Sequence, residues 1–218
     1  MVTEVAVADA AEELDILFQD EALLVLDKPS GLLSVPGRSP QHKDSLALRA
    51  QRWFEGARTV HRLDWETSGV SVLALDADVH RELSRQFHDR EVEKSYIAIV
   101  AGHVYPDEGE VALPLICDWP NRPKQMVDHE NGRHALTRWQ VIYREIDRTW
   151  MRLRPITGRS HQLRVHMQAL GHPILGDRLY ADLEALHMAD RLQLHAERLA
   201  VTHPQSGERV TFYSPSPF

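Results

Sequence analysis

The sequence predicts an α+β fold whose sheet is mixed but mostly antiparallel. Segments typical of strands greatly outnumber those typical of helices, and the two kinds do not alternate regularly along the chain, as they would in a parallel α/β protein. No internal repeat is present. With 218 residues, 43% of them hydrophobic, the chain is long enough for a substantial core, in one sizeable domain or at most two small ones.

The elements of the first half follow from apolar periodicity and from turn and cap residues. Residues 1–13 are small and acidic without any period, which predicts a flexible N-terminal tail. We expect strands at 14–18, 22–26 and 70–75, a Pro- and Gly-rich loop at 28–40, and helices at 46–54 and after an N-cap at Asp78. The second helix carries Arg81, Arg85 and Arg90, which would meet phosphates or form a solvated face.

In the second half, residues 102–135 are punctuated by Gly and Pro and predict short strands and turns. Ser160 is the expected N-cap of a helix that Gly171 ends. Longer strands are expected at 93–101, 136–144, 149–154, 192–202 and 209–213, and helices at 160–170 and 180–188.

The composition excludes several classes of protein. No run approaches the roughly 18 apolar residues that a membrane span needs, and the mean hydropathy is −0.38. The N-terminus lacks the basic region of a signal peptide. Cys117 is the single cysteine, which rules out an internal disulfide and a cysteine-based zinc site. We therefore expect a cytoplasmic protein, and a monomer, because no heptad or apolar stripe indicates a dimer.

The charge distribution is uneven. The net charge of −7 by itself argues against a nucleic-acid partner, because phosphate binding calls for a basic surface. Residues 1–27, however, hold eight acidic residues and no Lys or Arg, so removing their charge of −8 from the net −7 leaves +1 for residues 28–218. The Arg and Lys residues of the body can still cluster on one face, and charge alone decides nothing.

The segment 61–69 concentrates reactive groups just before a buried strand. It reads His-Arg-Leu-Asp-Trp-Glu-Thr-Ser-Gly and runs straight into the apolar residues 70–75. Loops at strand ends are where a rigid scaffold usually presents functional side chains. Taken alone, the segment favours an ordinary charged loop in which Asp64 caps the loop or forms a salt bridge with Arg62.

This segment, which we call the signature loop, resembles the catalytic signature of the RluA-type pseudouridine synthases. Four further motifs match that family in the family's order. They are Lys-Pro-Ser-Gly at 28–31, Lys-Ser-Tyr at 94–96, Pro-Ile-Thr-Gly-Arg-Ser-His-Gln-Leu-Arg-Val-His at 155–166 and Gly-His-Pro-Ile-Leu-Gly-Asp at 171–177. Residues 115–125 also resemble the member of the family that modifies both 23S ribosomal RNA and a tRNA anticodon loop.

The resemblance implies the fold and the domain organisation. It implies a strongly bent mixed sheet in a single catalytic domain over residues 14–218. Some relatives carry an additional N-terminal S4 RNA-binding domain, but fewer than sixty residues precede the signature loop here, and the first core strands need part of them. We expect no S4 domain.

The resemblance also implies the reaction, the isomerisation of uridine to pseudouridine in RNA. The base is detached from ribose, rotated and rejoined through carbon, with no redox step or phosphate transfer, so we expect no cofactor and no metal. A carboxylate can add covalently and then leave, and Asp64 matches the family's essential residue. Attack at C6 of the base and attack at C1′ of the sugar both remain open.

Two more positions match the family's catalytic residues. A nucleophilic carboxylate must stay ionised, which calls for a nearby cation, and Arg164 is the candidate, with an ordinary structural ion pair as the alternative. Tyr96 would stack on the uracil or accept a proton, although a lone Tyr in a strand is usually core.

Seven residues are candidates for RNA contacts. The target base must be flipped out of its stack, and bases in loops cost least to extract. His61 and Arg62 border Asp64 and would fill the vacated space. Arg159 would bind phosphate at a helix N-terminus. The remaining candidates are Lys28, which is otherwise a solvated turn residue, Leu194, which is otherwise core, and Arg122 and Lys124 beside the aromatic ring of Trp119.

Two other functions compete. Thirteen histidines suggest a metal-dependent hydrolase, but His161 and His166 are five residues apart, which is poor for one helix face, and no His-Glu-x-x-His pattern is present. A non-catalytic RNA-binding or RNA-folding factor on the same fold would have no need for Asp64, Tyr96 and Arg164 together. The sequence therefore favours the enzyme, acting on stem-loops of 23S rRNA and tRNA, with no membrane partner.

Overall fold

The computed structural model describes residues 13–218, so the tail predicted for residues 1–13 lies almost wholly outside the described residues. The strands are β1 (Asp15–Gln19), β2 (Leu23–Lys28), β3 (Arg58–Thr59), β4 (Ser68–Ala74), β5 (Glu93–Ala101), β6 (Glu108–Val111), β7 (Leu115–Cys117), β8 (Gln125–Val127), β9 (Thr137–Arg144), β10 (Arg148–Pro155), β11 (Leu194–Thr202) and β12 (Arg209–Tyr213). The helices are α1 (Leu46–Trp53), α2 (Ala77–Asp89), α3 (Gln162–Ala169) and α4 (Leu183–His187), with 3-10 turns at Pro40–His42 and Trp119–Asn121.

The chain divides into two compact units. The first comprises the described part of Met1–Glu93 together with Ala196–Ser216, and the second comprises Lys94–His195 together with Pro217–Phe218. Among the described residues, none of the helices combines the length and the apolar character that crossing a membrane requires.

The first unit is built on the part of the sheet ordered β1-β2-β4-β11, with a helix on each face. Strand β2 pairs with β1 and with β4, β3 also pairs with β4, and β12 pairs with β11. Strand β2 is apolar on both faces, and alternate residues point to opposite sides. Leu23 and Val25 pack in the cluster that α2 covers, whereas Leu24 and Leu26 pack in the cluster that α1 covers.

The second unit is built on an antiparallel sheet in the order β5-β10-β9-β6, with a separate β7-β8 hairpin. Helix α3 buries Leu163 and Met167 in the main core cluster of this unit. Residues 173–175 add to the edge of β5, because Ala101 N donates to Pro173 O and Leu175 N donates to Ile99 O.

The predicted fold class is confirmed, and so are most elements, with shifts of one or two residues at their ends. The N-cap of α2 is Asp76 rather than Asp78, since Asp76 Oδ1 accepts hydrogen bonds from Asp78 N and Val79 N. Asp-Ala-Asp offers two candidate caps, and the end of the preceding strand decides between them.

Two other helix starts were also predicted wrongly. The residue before α3 is His161, in a left-handed conformation with φ of 52° and no side-chain cap bond, and not Ser160. The last helix was predicted to begin at Tyr180, but that ring is buried and α4 begins after Asp182, whose Oδ1 accepts from Ala185 N.

Candidate active site

The signature loop joins β3 to β4 and presents Asp64 partly exposed at a turn. Thr67 N donates to Asp64 O at 3.2 Å and closes that turn. Gly69 follows with φ of 113° and lies against β11, where an added Cβ would stand 2.3 Å from Ala196 O. No other residue fits this close approach without moving backbone, so the glycine of the motif lets β4 start directly beneath the loop.

The Lys-Pro-Ser-Gly loop at 28–31 holds the signature loop from one side. Lys28 is fully buried, and its Nζ donates to Trp65 O at 3.2 Å and to two carbonyls of its own loop. Ser30 Oγ donates to Glu66 O at 2.7 Å. Lys28 is therefore not a solvated turn residue. Its ammonium donates hydrogen bonds to carbonyl groups of both loops and so connects them. Its direct contact with RNA stays a prediction.

Ser34 fixes the residue on the other side of Asp64. Its buried hydroxyl donates to Leu63 O at 2.7 Å and accepts from Leu63 N at 3.0 Å. Backbone groups at 63, 65 and 66 are thus all bound by residues of the 28–34 segment. The loop conformation that presents Asp64 is set by hydrogen bonds between segments about thirty residues apart.

His61 interacts with neighbouring residues of the first unit, whereas Arg62 is exposed. The His61 ring stacks on Phe87 with centroids 4.7 Å apart, and its Nε2 accepts from Val72 N at 3.1 Å. This bond requires an unprotonated Nε2 and ties the loop to β4. Arg62 is exposed and forms no hydrogen bond or ion pair with any residue in 13–218. Arg62 can therefore reach a ligand without breaking an existing interaction.

The predicted site residues are distributed over both units. The first unit holds Lys28, His61, Arg62 and Asp64, and the second unit holds Tyr96, Arg122, Lys124, Arg159, Arg164 and Leu194. Within the second unit, Tyr96 lies on β5 opposite Leu153 of β10 and packs its partly buried ring against the main core cluster. Leu194 is buried in the same cluster, which supports the core alternative for that residue.

Arg164 is locked in place by Asp177. Its Nε and Nη2 donate to the two carboxylate oxygens at 2.7 and 2.6 Å, with the two side chains 3% and 0% exposed. Asp177 Oδ1 also accepts from Leu179 N and Tyr180 N. The ion pair that was the alternative for Arg164 is therefore present. It engages two of the five N–H donors of a guanidinium and fixes the plane of the group.

A chain of side-chain hydrogen bonds sets the loop that leads into α3. Thr157 Oγ1 donates to Gln162 Oε1 at 2.7 Å, and Gln162 Nε2 donates to Thr137 Oγ1 at 3.0 Å. His166 Nε2 lies 3.0 Å from Leu113 O and its Nδ1 lies 2.9 Å from Thr137 Oγ1. A carbonyl only accepts, so Nε2 carries the proton and Nδ1 accepts from Thr137. Both ring nitrogens are engaged, which leaves His166 no lone pair for a metal.

The electrostatic environment of His166 agrees with a neutral ring. Burial lowers the pKa of His166, and the hydrogen bond to Leu113 O only partly opposes that change. Burial in low dielectric disfavours the charged imidazolium.

The start of α3 is tied to the β7-β8 hairpin. The hydroxyl of Tyr180 accepts from Gln125 N at 2.8 Å and lies 2.6 Å from His161 Nδ1. Arg159 Nε donates to His134 O at 3.0 Å. These bonds connect residue 125 to residue 161 through Tyr180, and residue 159 to residue 134.

The turn of that hairpin carries an exposed aromatic and cationic pair. The guanidinium carbon of Arg122 lies 3.7 Å from the ring centroid of Trp119, whose side chain is 62% exposed. Lys124 follows, and its ammonium forms no hydrogen bond or ion pair within the described chain. Such an arrangement suits stacking and phosphate contact in one place.

The comparisons with known proteins decide the family. The family model described as RNA pseudouridylate synthase matches residues 22–169. This chain belongs to that family. It is 60% identical over 206 residues to "Dual-specificity RNA pseudouridine synthase RluA" of Salmonella typhimurium and 59% identical to the protein of that name from Escherichia coli, with 94% of each chain covered.

Solved structures of family members support the fold. Human RNA pseudouridylate synthase domain containing 1 superposes with a TM-score of 0.78 at 28% identity, covering 94% of this chain and 84% of the other. Human RNA pseudouridylate synthase domain containing 4 gives 0.76 at 29% identity, covering 98% and 91%. The predicted family and enzyme class are confirmed: the protein is an RNA pseudouridine synthase, an isomerase acting on RNA.

Sequence reasoning missed the residues that position this pseudouridine synthase's predicted site. Asp177 ends the 171–177 motif, and no role was predicted for it, although a buried arginine needs a carboxylate partner. Ser34 and Tyr180 carried no signal at all, since each acts on a segment distant in sequence. No role was predicted for Lys94 either, although it begins the 94–96 motif.

Proposed function

We propose that this pseudouridine synthase modifies uridines in two kinds of RNA, 23S ribosomal RNA and a tRNA anticodon stem-loop. The observation that carries the proposal is the turn of the β7-β8 hairpin. Its sequence resembles the dual-specificity member of the family, and its relatives at about 60% identity bear that description in their names. The exposed Trp119, Arg122 and Lys124 supply a stacking surface and cations suited to unpaired loop nucleotides.

Asp64 is the proposed nucleophile. Its loop is held by Lys28, Ser30 and Ser34 through bonds to neighbouring backbone groups, and Asp64 is partly exposed. Such preorganisation suits a residue that must meet a reacting carbon at one orientation. At C1′ the carboxylate would displace N1 of the uracil, and C5 of the rotated base would then displace the carboxylate and lose its proton. At C6 the carboxylate would add across the C5–C6 double bond and leave when that double bond forms again. Either route returns the protein unchanged.

The other proposed roles follow from the same chemistry. Tyr96 provides a face for the flipped uracil, and Arg164, with its plane fixed by Asp177, provides the cation that the reaction needs. Arg62, which has no competing interaction among residues 13–218, enters the space that the flipped base leaves. Arg159 holds a phosphate. No metal or cofactor is proposed, because the isomerisation has no redox step. The enzyme is proposed to act as a monomer in the cytoplasm.

The decisive experiment measures tritium release from C5-labelled uridine. The substrates are an unmodified tRNA anticodon stem-loop and a 23S rRNA fragment, and the variants are Asp64→Asn and Asp78→Asn. Asp78 is an exposed carboxylate on α2 paired with Arg81, so it controls for loss of one negative charge. We expect release from both RNAs, abolished by Asp64→Asn and unaffected by Asp78→Asn.

Two results would contradict the proposal. Full release by Asp64→Asn would remove the nucleophile assignment. Absence of release by the unmodified protein from both RNAs, with binding intact, would favour a non-catalytic RNA-binding factor instead.

A further inference from the structure

Lys94, the second residue of β5, is partly buried and has no counter-ion among the residues that the structure describes. No residue within 13–218 forms a hydrogen bond or an ion pair with it. Lys28, in contrast, donates to three carbonyls, and the exposed Lys43 donates to Gly37 O. Burial lowers the pKa of the Lys94 ammonium, and no carboxylate offsets that change. Burying a cation without a partner lowers the free energy of unfolding. A lysine in such a position is therefore expected to have a function other than stabilising the fold.

The Lys94 ammonium lies beside an exposed glycine of the loop that follows β10. Leu153 of β10 pairs with Tyr96, so the antiparallel register places Lys94 beside the end of β10, where the 156–161 loop begins. Lys94 Nζ lies 3.7 Å from the position that a Cβ on Gly158 would take. Gly158 is exposed and its φ lies outside the left-handed region, so the backbone does not require glycine there. The missing side chain instead leaves the ammonium uncovered.

We propose that Lys94 binds a phosphodiester group of the RNA, the one adjoining the uridine that is modified. Side chains two residues apart on a strand share one face and are separated by roughly 7 Å along it. Lys94 therefore stands beside Tyr96 on β5. This inference rests on the proposed role of Tyr96 as the stacking surface, since a uridine held there carries its own phosphate towards Lys94. The phosphate supplies the negative charge that no residue within 13–218 provides.

The unpaired ammonium gives the proposal a signature in stability as well as in binding. Lys94→Met removes a desolvated charge and keeps the aliphatic stem, so the melting temperature of the free protein should rise by roughly a few degrees. The same substitution should weaken RNA binding. This pair of effects is expected if Lys94 serves binding at the expense of stability. If Lys94 served the fold, Lys94→Met would lower the melting temperature of the protein.

The experiment measures the dissociation constant of a stem-loop RNA at several salt concentrations. For Lys94→Met we expect a rise in Kd of about ten- to hundredfold, the usual effect of losing a hydrogen bond to a charged group. The slope of log Kd against log salt should fall by about 0.7 to 0.9, the value for one phosphate contact. In turnover, KM should rise while kcat changes little. Lys94→Arg should restore most of the affinity, because Arg also binds phosphate.

Matched variants isolate the contact. Lys43→Met removes an equally charged lysine and should leave Kd and its salt slope unchanged. Gly158→Ala adds one methyl group 3.7 Å from the ammonium and should raise Kd by a smaller factor without unfolding the protein.

Several outcomes would overturn the proposal. An unchanged salt slope in a folded Lys94→Met protein would show that no phosphate is bound there, and a loss of kcat at unchanged Kd would make Lys94 a proton-transfer group. A fall in melting temperature would reveal a structural role. Tritium release by the unmodified protein is measured in parallel, so failure of the proposed RNA specificity is recognised separately from failure at Lys94.

Discussion

Two helices each carry an arginine bound to carboxylates, and they use it differently. Arg85 on α2 is 47% exposed and bridges three acids, Glu82, Asp89 and Glu91. Arg164 on α3 is 3% exposed and forms a bidentate pair with the fully buried Asp177. Three bound acids would suggest that Arg85 is the more strongly held residue. Solvent reverses this order, because water screens and competes for the exposed cluster but cannot reach the buried pair.

The arginines of α2 form ion pairs with nearby acids. Arg81 and Arg85 are paired with acids of their own helix and its end, so an approaching phosphate would have to displace carboxylates. The alternative of a solvated helix face, left open by the sequence, is confirmed for these two residues. On the second unit, Lys94 and Lys124 have no acidic partner among the described residues, and an anion meets no competitor there.

The largest effect is expected from removing the buried cation. Arg164→Met leaves the Asp177 carboxylate buried without its partner, and breaking a buried pair in this way costs about 3–5 kcal/mol of the free energy of unfolding. Urea unfolding monitored by fluorescence measures this loss, with Arg85→Met as the matched control. Turnover should be lost at temperatures where the variant is still folded.

A second variant of the same residue separates charge from geometry. Arg164→Lys keeps a positive charge opposite Asp177 but cannot form the two parallel bonds. It should recover part of the stability and little of the activity. Recovery of full activity would show that the fixed plane of the guanidinium is unimportant.

An intermediate effect is expected from pH. Burial lowers the pKa of His166 on α3 below the ordinary value of 6.5, so between these two values the unfolded chain binds more protons than the folded protein. Stability should therefore fall as pH drops below about 6.5, by at most about 1.4 kcal/mol per pH unit from this one group. Below the folded pKa both states are protonated and the contribution becomes constant.

The measurement for this prediction is the melting temperature between pH 7.5 and pH 5. His166→Gln should flatten the dependence, whereas His88→Gln, which replaces an exposed histidine on α2, should not. Equal slopes in the two variants would mean that folding does not lower the pKa of His166.

The smallest effect is expected on α2 itself. Arg85→Met should leave the melting temperature, the RNA dissociation constant and its salt slope unchanged within error, because the exposed cluster neither holds the fold nor meets RNA. Thermal unfolding and a salt titration of RNA binding test both halves of this statement. A reduced salt slope would return α2 to the candidate RNA-binding surface.

Much of the fold was predictable because its causes are local. The run of apolar residues in β2, the alternation in β5 and the cap at Ser45 before α1 are each visible in neighbouring residues. The errors have three origins: two cap residues compete at Asp78, the helix near Ser160 begins without a side-chain cap, and the ring of Tyr180 is buried in the core. Tertiary contacts decide these cases, and local propensity does not contain them.

The sequence by itself determined the family, the fold class and which side chains could carry the reaction, because motifs are strings of neighbours. Only the tertiary structure decided that Lys28 is buried beneath the signature loop, that Arg164 is paired with Asp177, and that Lys94 has no counter-ion among residues 13–218. The physical reason is the same in each case. The state of a charged group depends on the water and the partners around it, and folding brings those partners from distant parts of the chain.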